Sequence, residues 1–107
     1  MNDTMTEHRA RAAQPLKDKV SLVTGSTSGI GLGIARALAG AGSAIVLNGF
    51  GKPEDIEAAQ SGIASDFGVP VSYSGADMSK PAAIAEMFET VLGAFGAVDV
   101  LVNNAGI

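Results

Sequence analysis

The stretch Val20–Gly31 has the sequence VSLVTGSTSGIG. It begins with a short, mostly apolar run, which is followed by three spaced glycines, Gly25, Gly29 and Gly31. The run Val20–Thr24 is rich in β-branched residues and predicts a strand. Apolar residues then recur at the three- and four-residue spacing of a helix, and Gly42 marks the predicted end of that helix. Its predicted apolar face consists of Ile30, Ile34, Ala37, Leu38 and Ala41. A glycine-rich turn between a strand and a helix is typical of a βαβ unit.

The glycine turn predicts a binding site for a pyrophosphate group. Gly25 permits a tight turn, Gly29 lets a phosphate approach the backbone, and Gly31 lets the helix pack closely. Free N–H groups and the dipole at the helix start favour an anion, and the hydroxyls between Gly25 and Gly29 add donors. The predicted phosphate-binding set is Gly25, Ser26, Thr27, Ser28, Gly29, Ile30 and Gly31. The alternative is a turn without a ligand, in which Gly25, Gly29 and Gly33 serve only helix packing. The strand before the turn and the helix after it favour the ligand.

The rest of the chain repeats the alternation of strand and helix. Further strands are predicted at Ala44–Leu47, Val71–Ser74 and Val98–Val102. The second helix has Pro53 in its first turn and ends at Gly68, whereas the third is capped by Ser79 and ends at Gly96. The predicted apolar faces are Ile56, Ala59, Ile63 and Phe67 in the second helix and Ile84, Met87, Phe88, Val91 and Phe95 in the third. Right-handed crossovers make this the N-terminal half of a Rossmann-type α/β fold, a doubly wound parallel sheet with strand order 3-2-1-4.

Composition narrows the class of protein. The chain has 107 residues, 47% of them hydrophobic, a net charge of −4, no cysteine and one histidine. These counts exclude disulfide scaffolds and thiolate zinc sites and argue against histidine-built metal sites and Ser-His-Asp hydrolysis. We assign no metal-binding residue. Residues 1–18 predict a flexible N-terminal extension, and residues 19–107 a dinucleotide-binding half-domain. Residues 20–107 hold three basic and eight acidic residues, so we expect no nucleic-acid binding.

Hydropathy predicts where the protein resides. No span of 18 residues is both apolar and uncharged, so we expect no membrane segment. The N-terminus lacks the apolar region of a secretory signal. We therefore expect a cytoplasmic protein.

Three motifs lie at the predicted carboxyl ends of strands. They are TGSTSGIG at 24–31, Asp77 after the third strand, and NNAG at 103–106. In this combination and at this spacing they resemble the short-chain dehydrogenase/reductase family over residues 19–107. The longer strings TGSTSGIGLGIA at 24–35, LNGFG at 47–51 and GADMSK at 75–80 resemble its D-3-hydroxybutyrate dehydrogenase branch.

The resemblance implies roles for residues outside the glycine turn. Phe50 would pack on the adenosine half of the cofactor, Asp77 would accept from the adenine amino group, and the Met78 N–H would reach a ring nitrogen. Asn103 would stabilise the sheet. A wall of the cofactor site would consist of Asn104, Ala105 and Gly106. The alternatives are a partly buried Phe50 that covers its loop, a helix-entry turn at Asp77, and a plain Asn/Gly turn after the fourth strand.

Residues near the predicted adenosine ribose bear on the choice of cofactor. The segment 48–50 holds no Asp or Glu to bind the ribose 2′-hydroxyl, so a carboxylate argument for NAD fails. No Arg or Lys lies at 26–28 or 48–50 to pair with the 2′-phosphate of NADP, and only Lys52 is near. Together with the resemblance, this predicts NAD.

The resemblance also implies an activity. An enzyme of this family passes a hydride between a nicotinamide ring and a secondary alcohol or ketone, here 3-hydroxybutyrate or acetoacetate, and we expect a homotetramer for the full-length protein. Its catalytic Ser, Tyr and Lys have no match, because the only tyrosine is Tyr73 and Asp77 stands four residues later. We therefore assign no catalytic residue and expect a truncated member that is inactive alone. The alternatives are a non-catalytic nucleotide-binding or regulatory half-domain and a ligand-free dimerisation module, which leaves the glycine turn unexplained.

Overall fold

The computed structural model describes residues 14–105 as four strands and three helices in strict alternation. In chain order they are β1 (Val20–Val23), α1 (Gly29–Gly40), β2 (Ala44–Asn48), α2 (Pro53–Phe67), β3 (Val71–Ser74), α3 (Pro81–Phe95) and β4 (Val100–Val102). Most of the predicted N-terminal extension lies outside the described residues, so its flexibility stays a prediction. Where the structure describes its end, the Leu16 N–H donates to the Ala41 carbonyl at the end of α1.

The four strands form one parallel sheet with the order β3-β2-β1-β4. This confirms the predicted Rossmann-type half. Because all strands run the same way, their carboxyl ends meet at one edge of the sheet, where ligands bind in such folds. The predicted motifs follow β1, β2, β3 and β4 at that edge.

Helices cover both faces of the sheet, and each face has its own core. On one face, Val23, Ile45 and Leu47 pack with α1 and α2. On the other, Leu22 and Val46 pack with α3. Alternate residues of β1 and β2 therefore enter opposite cores, as expected for strands buried on both faces. No helix within residues 14–105 has the length and apolar character needed to cross a membrane.

Three local predictions were wrong. Ile30 is 78% exposed and Ala37 is exposed as well, so neither belongs to the buried face of α1. That face is built on Gly31, Ala35 and Ala39. Small residues at this four-residue spacing let the helix lie close to the sheet, while Ile30 stands at the helix start. Ser79 does not cap α3, whose N-cap is Lys80. The third error concerns β4, which begins at Val100 and not at Val98.

A proline explains the shift at α3, and a contact across the sheet explains the shift at β4. Pro81 occupies the first turn of α3, where its missing N–H costs nothing, and this sets the helix start after Ser79. Before β4, the Asp99 N–H donates to the Val20 carbonyl, and the Asp99 carboxylate accepts from the Val20 N–H at 2.8 Å. The predicted ends of α2 and α3 were right, since Gly68 and Gly96 follow these helices with φ of 65° and 82°. The helix α1 ends at Gly40 with Ala41 as its C-cap, two residues before the predicted Gly42.

Candidate functional site

An open cleft of about 580 Å³ lies at the carboxyl edge of the sheet. It brings together the turn after β1, the loop after β2, the loop after β3 and one residue after β4. Its lining residues are Gly25, Thr27, Ser28, Asn48, Gly49, Phe50, Ala76, Asp77, Met78, Ser79 and Ala105. Several residues that sequence reasoning assigned to one site therefore share one cleft.

The three glycines of the turn meet three different structural needs. Gly25 has φ of 60°, and a Cβ there would lie 3.2 Å from the Ala105 Cα. A Cβ on Gly31 would collide with the Gly25 carbonyl and lie 2.6 Å from the Asn104 Nδ2. Gly29 has φ of 58°, and its Cβ position has no neighbour within 4 Å, so its backbone faces open space. The Cβ position of Gly33 also has no neighbour within 4 Å, so close packing does not explain Gly29 or Gly33.

The hydroxyl groups of the turn differ from the expectation that all three serve a ligand. Ser26 is fully buried and donates to the Val23 carbonyl at 2.7 Å. The Thr27 hydroxyl donates to the Phe50 carbonyl at 2.9 Å. Ser28 is the exposed N-cap of α1, and its side chain makes no capping hydrogen bond. The donors of Ser26 and Thr27 are thus used within the protein, which leaves Ser28 as the hydroxyl donor available from this turn.

The start of α1 is suited to an anion. The first turn holds no acidic residue, so no side chain offsets the positive end of the helix dipole. Ile30 stands exposed beside this end, and the first N–H groups of a helix have no partner within it. An anion at this position would meet no acidic side chain in the first turn of α1.

The loop after β2 is held in place by its neighbours and presents an aromatic ring. Gly49 has φ of 143°, and its carbonyl accepts a hydrogen bond from the Tyr73 hydroxyl. The next carbonyl, that of Phe50, accepts from Thr27. The Phe50 side chain is 69% exposed and lines the cleft. The ring is therefore not buried beneath its loop and offers a flat surface to a ligand.

Asp77 lines the same cleft on the β3 side. Its Oδ1 accepts from the Ser79 hydroxyl at 2.6 Å and from the Ser79 N–H at 2.9 Å. These bonds, chiefly the hydroxyl, lower the pKa of Asp77, and the charge of Lys80 acts in the same direction. The carboxylate is thus ionised at neutral pH. Asp77 also forms the helix-entry turn of the alternative interpretation, so the two interpretations are compatible.

The end of β4 is joined to the glycine turn through Thr24. The buried Thr24 hydroxyl accepts from the N–H groups of Asn104 and Ala105, both at 2.9 Å, and lies 3.3 Å from the Asn103 Oδ1. The Asn104 side chain donates to the Gly25 carbonyl at 3.0 Å. The side chains of both asparagines thus contact the segment Thr24–Gly25 that follows β1. The predicted Gly106 lies outside the described residues.

Comparison with known proteins identifies the family. Residues 19–107 match the family model described as short chain dehydrogenase. The chain belongs to the short-chain dehydrogenase family. It is 56% identical over 93 residues to a D-beta-hydroxybutyrate dehydrogenase of Cupriavidus necator, covering 86% of this chain and 35% of that protein. It is 52% identical over 89 residues to the enzyme of that name from Rhizobium meliloti, covering 83% and 34%.

Solved structures of short-chain dehydrogenases have the same fold. The L-sorbose reductase of Gluconobacter frateurii, complexed with NADPH and L-sorbose, is 38% identical with a TM-score of 0.80, covering 86% of this chain and 35% of that one. A metagenomic short-chain oxidoreductase in complex with NADP is 39% identical with a TM-score of 0.78, covering 86% and 41%. The chain spans about a third of the length of the curated relatives it matches.

Sequence reasoning about this member of the family missed the roles of two residues. Thr24 was treated only as part of a motif, and Asn48 only as a position without a carboxylate. Both are 1% exposed and use their side chains to join strand ends. The available signal was a polar residue directly after a strand that is buried along its length, which predicts a buried polar group that must be hydrogen-bonded.

Proposed function

We propose that the protein containing this chain is an NAD-dependent oxidoreductase that interconverts 3-hydroxybutyrate and acetoacetate. The observation that carries the binding part is one cleft lined by the glycine turn and by the exposed ring of Phe50. The substrate part is supported by the 56% and 52% identity to two D-beta-hydroxybutyrate dehydrogenases.

The residues of the cleft fit a dinucleotide. The open backbone at Gly29 leaves room for a pyrophosphate at the start of α1, where the Ser28 hydroxyl adds a donor. The Phe50 ring would stack on the adenosine half. The ionised Asp77 would accept from the adenine amino group, and the Met78 N–H would donate to the ring. Asn104 and Ala105 would bound the cofactor on the β4 side.

We propose NAD rather than NADP because of the charges around the cleft. None of the lining residues is Lys or Arg, whereas Asp77 adds a negative charge. A 2′-phosphate would therefore find no cationic partner in the lining. The two neighbours with bound NADPH or NADP are 38% and 39% identical to this chain, less than the two D-beta-hydroxybutyrate dehydrogenases.

When bound, the cofactor accepts or delivers the hydride, and the protein positions it. The described residues would bind and orient the cofactor. The only tyrosine, Tyr73, has its hydroxyl engaged with the Gly49 carbonyl. We therefore propose that residues 14–105 supply cofactor binding and that the proton of the alcohol passes to a group elsewhere in the whole protein. The homotetramer stays a prediction.

The test uses the intact protein that contains these residues. Calorimetric titration should show tighter binding of NAD than of NADP, and NAD reduction with D-3-hydroxybutyrate should raise the absorbance of NADH. Equal or tighter binding of NADP would refute the cofactor assignment. Binding of NAD without turnover would favour the non-catalytic nucleotide-binding alternative.

A further inference from the structure

One buried side chain joins the ends of three strands at the cleft. Asn48, the last residue of β2, is 1% exposed. Its Nδ2 donates to the carbonyls of Ser74 and Ala76, both at 3.0 Å. Its Oδ1 accepts from the Gly25 N–H at 3.4 Å. A single amide therefore connects the glycine turn after β1 to the loop after β3.

The backbone of the same residue holds the glycine turn a second time. The Ser26 N–H donates to the Asn48 carbonyl at 2.6 Å, and the Asn48 N–H donates to the Ser26 hydroxyl at 3.0 Å. The position of β2 relative to the turn is thus fixed by the main chain. The backbone also pairs β2 with β3, and the amide adds a connection to the loop after β3, where Ala76 directly precedes Asp77.

We propose that Asn48 is a positioning residue that sets the distance between the pyrophosphate position and the adenine position of the cleft. This inference rests on the proposed function, because it concerns where the two halves of one nucleotide are held. Asn48 itself is nearly inaccessible, and it acts through Gly25 on one side and Ala76 on the other.

The chemistry of the site requires an amide. The contacts to the Ser74 and Ala76 carbonyls need two N–H donors, and the contact to the Gly25 N–H needs an acceptor. Only Asn and Gln combine these groups in one side chain. A carboxylate would set its oxygens against two carbonyl oxygens and would bury a charge. A carboxylate here would thus oppose the contacts to β3, which is a structural reason for its absence at the end of β2.

The test compares two ligands in the intact protein. ADP spans both halves of the cleft, whereas adenosine contacts only the β3 side and Phe50. Asn48→Ser keeps the main-chain contacts of β2 but loses the side-chain bonds that tie Gly25 to the Ser74 and Ala76 carbonyls. The loop after β3 is then held less firmly relative to the glycine turn, whereas the bonds between Asp77 and Ser79 are unchanged. We expect the dissociation constant of ADP to rise about tenfold or more and that of adenosine to change less than about threefold. Asn48→Asp should raise the dissociation constant of ADP further.

Ser43→Ala is the matched control. Ser43 is also fully buried and hydrogen-bonded, to the Ser21 hydroxyl at 2.6 Å, but it precedes β2 at the opposite edge of the sheet. This variant should lose stability to urea and keep the wild-type ratio of the two dissociation constants. An equal loss of affinity for ADP and adenosine in Asn48→Ser, or an unchanged affinity for ADP, would overturn the positioning role. A wild-type protein that binds neither NAD nor ADP would instead overturn the proposed function.

Discussion

Replacing Gly29 with valine tests whether the open backbone of the glycine turn is where a pyrophosphate binds. A Cβ at this position meets no neighbouring protein atom within 4 Å, so a side chain can be added there without a clash at its Cβ. If a phosphate binds there, the isopropyl group takes its place. If nothing binds there, the substitution affects only the backbone conformation.

The magnitudes of the two effects differ enough to be separated. Gly29 has φ of 58°, a conformation that costs an L-residue about 1–2 kcal/mol, so the free energy of unfolding should fall by about that much. Hydrogen bonds to a charged group contribute about 1.5–3 kcal/mol each. Loss of two N–H bonds to the pyrophosphate would therefore weaken NAD more than about a hundredfold.

The assay pairs urea unfolding with NAD titration on the intact protein. Gly33→Val is the matched control, because Gly33 lies in the same helix, also has no neighbour within 4 Å of its Cβ position and has no positive φ. It should keep wild-type affinity and equal or greater stability, since glycine is a poor helix residue. If folded Gly29→Val bound NAD within about threefold of wild type, the phosphate assignment would be wrong.

Three further outcomes are expected. Phe50→Ala should weaken the binding of NAD about five- to a hundredfold, which is the range for loss of one base–aromatic stack. Leu92 is another exposed apolar residue, and Leu92→Ala should leave NAD binding unchanged. Equal affinities of the two variants for NAD would contradict this. Because the pKa of Asp77 is lowered, its contribution to NAD binding should be constant from about pH 5 to 8 and lost only as the pH falls through that lowered pKa. A phase near pH 6 that disappears in Asp77→Asn would contradict it. A polypeptide of residues 1–107 alone should reduce no NAD and show no sharp monomeric melt, since β4 has only β1 as a described neighbour and Leu101 is 54% exposed. Absorbance and thermal unfolding test this.

The order of elements in this fold could be predicted because strand and helix periods differ clearly in the chain. Continuous apolar runs such as Ile45–Leu47 predict strands buried on both faces, and glycines such as Gly68 predict helix ends. Prediction failed where a tertiary contact decides the boundary. Asp99 pairs with Val20 across the sheet and sets the start of β4, which no local pattern shows.

The cleft was predictable in outline but not in its internal hydrogen bonds. Position after a strand predicts that Phe50 and Asp77 lie near the glycine turn, because parallel strands end at one edge. It does not predict which hydroxyls remain free, since the partners of Ser26 lie on β1 and β2. The same limit applies to Asn48, whose partners follow β3.

The Thr24 hydroxyl has a consequence for the order of folding. It accepts hydrogen bonds from the N–H groups of Asn104 and Ala105, which lie 80 and 81 positions later in the chain. Closing a loop of that length costs about 4 kcal/mol of chain entropy by the logarithmic rule. Pairing β1 with β2, where Val20 lies beside Ala44, costs about 1 kcal/mol less. The first two strands can therefore associate early, while the β4 side of the cleft closes last. During synthesis, the glycine turn leaves the ribosome long before Asn104 exists to brace it. A cofactor that needs the closed cleft cannot assist the early steps, and it stabilises only chains in which β4 has already docked.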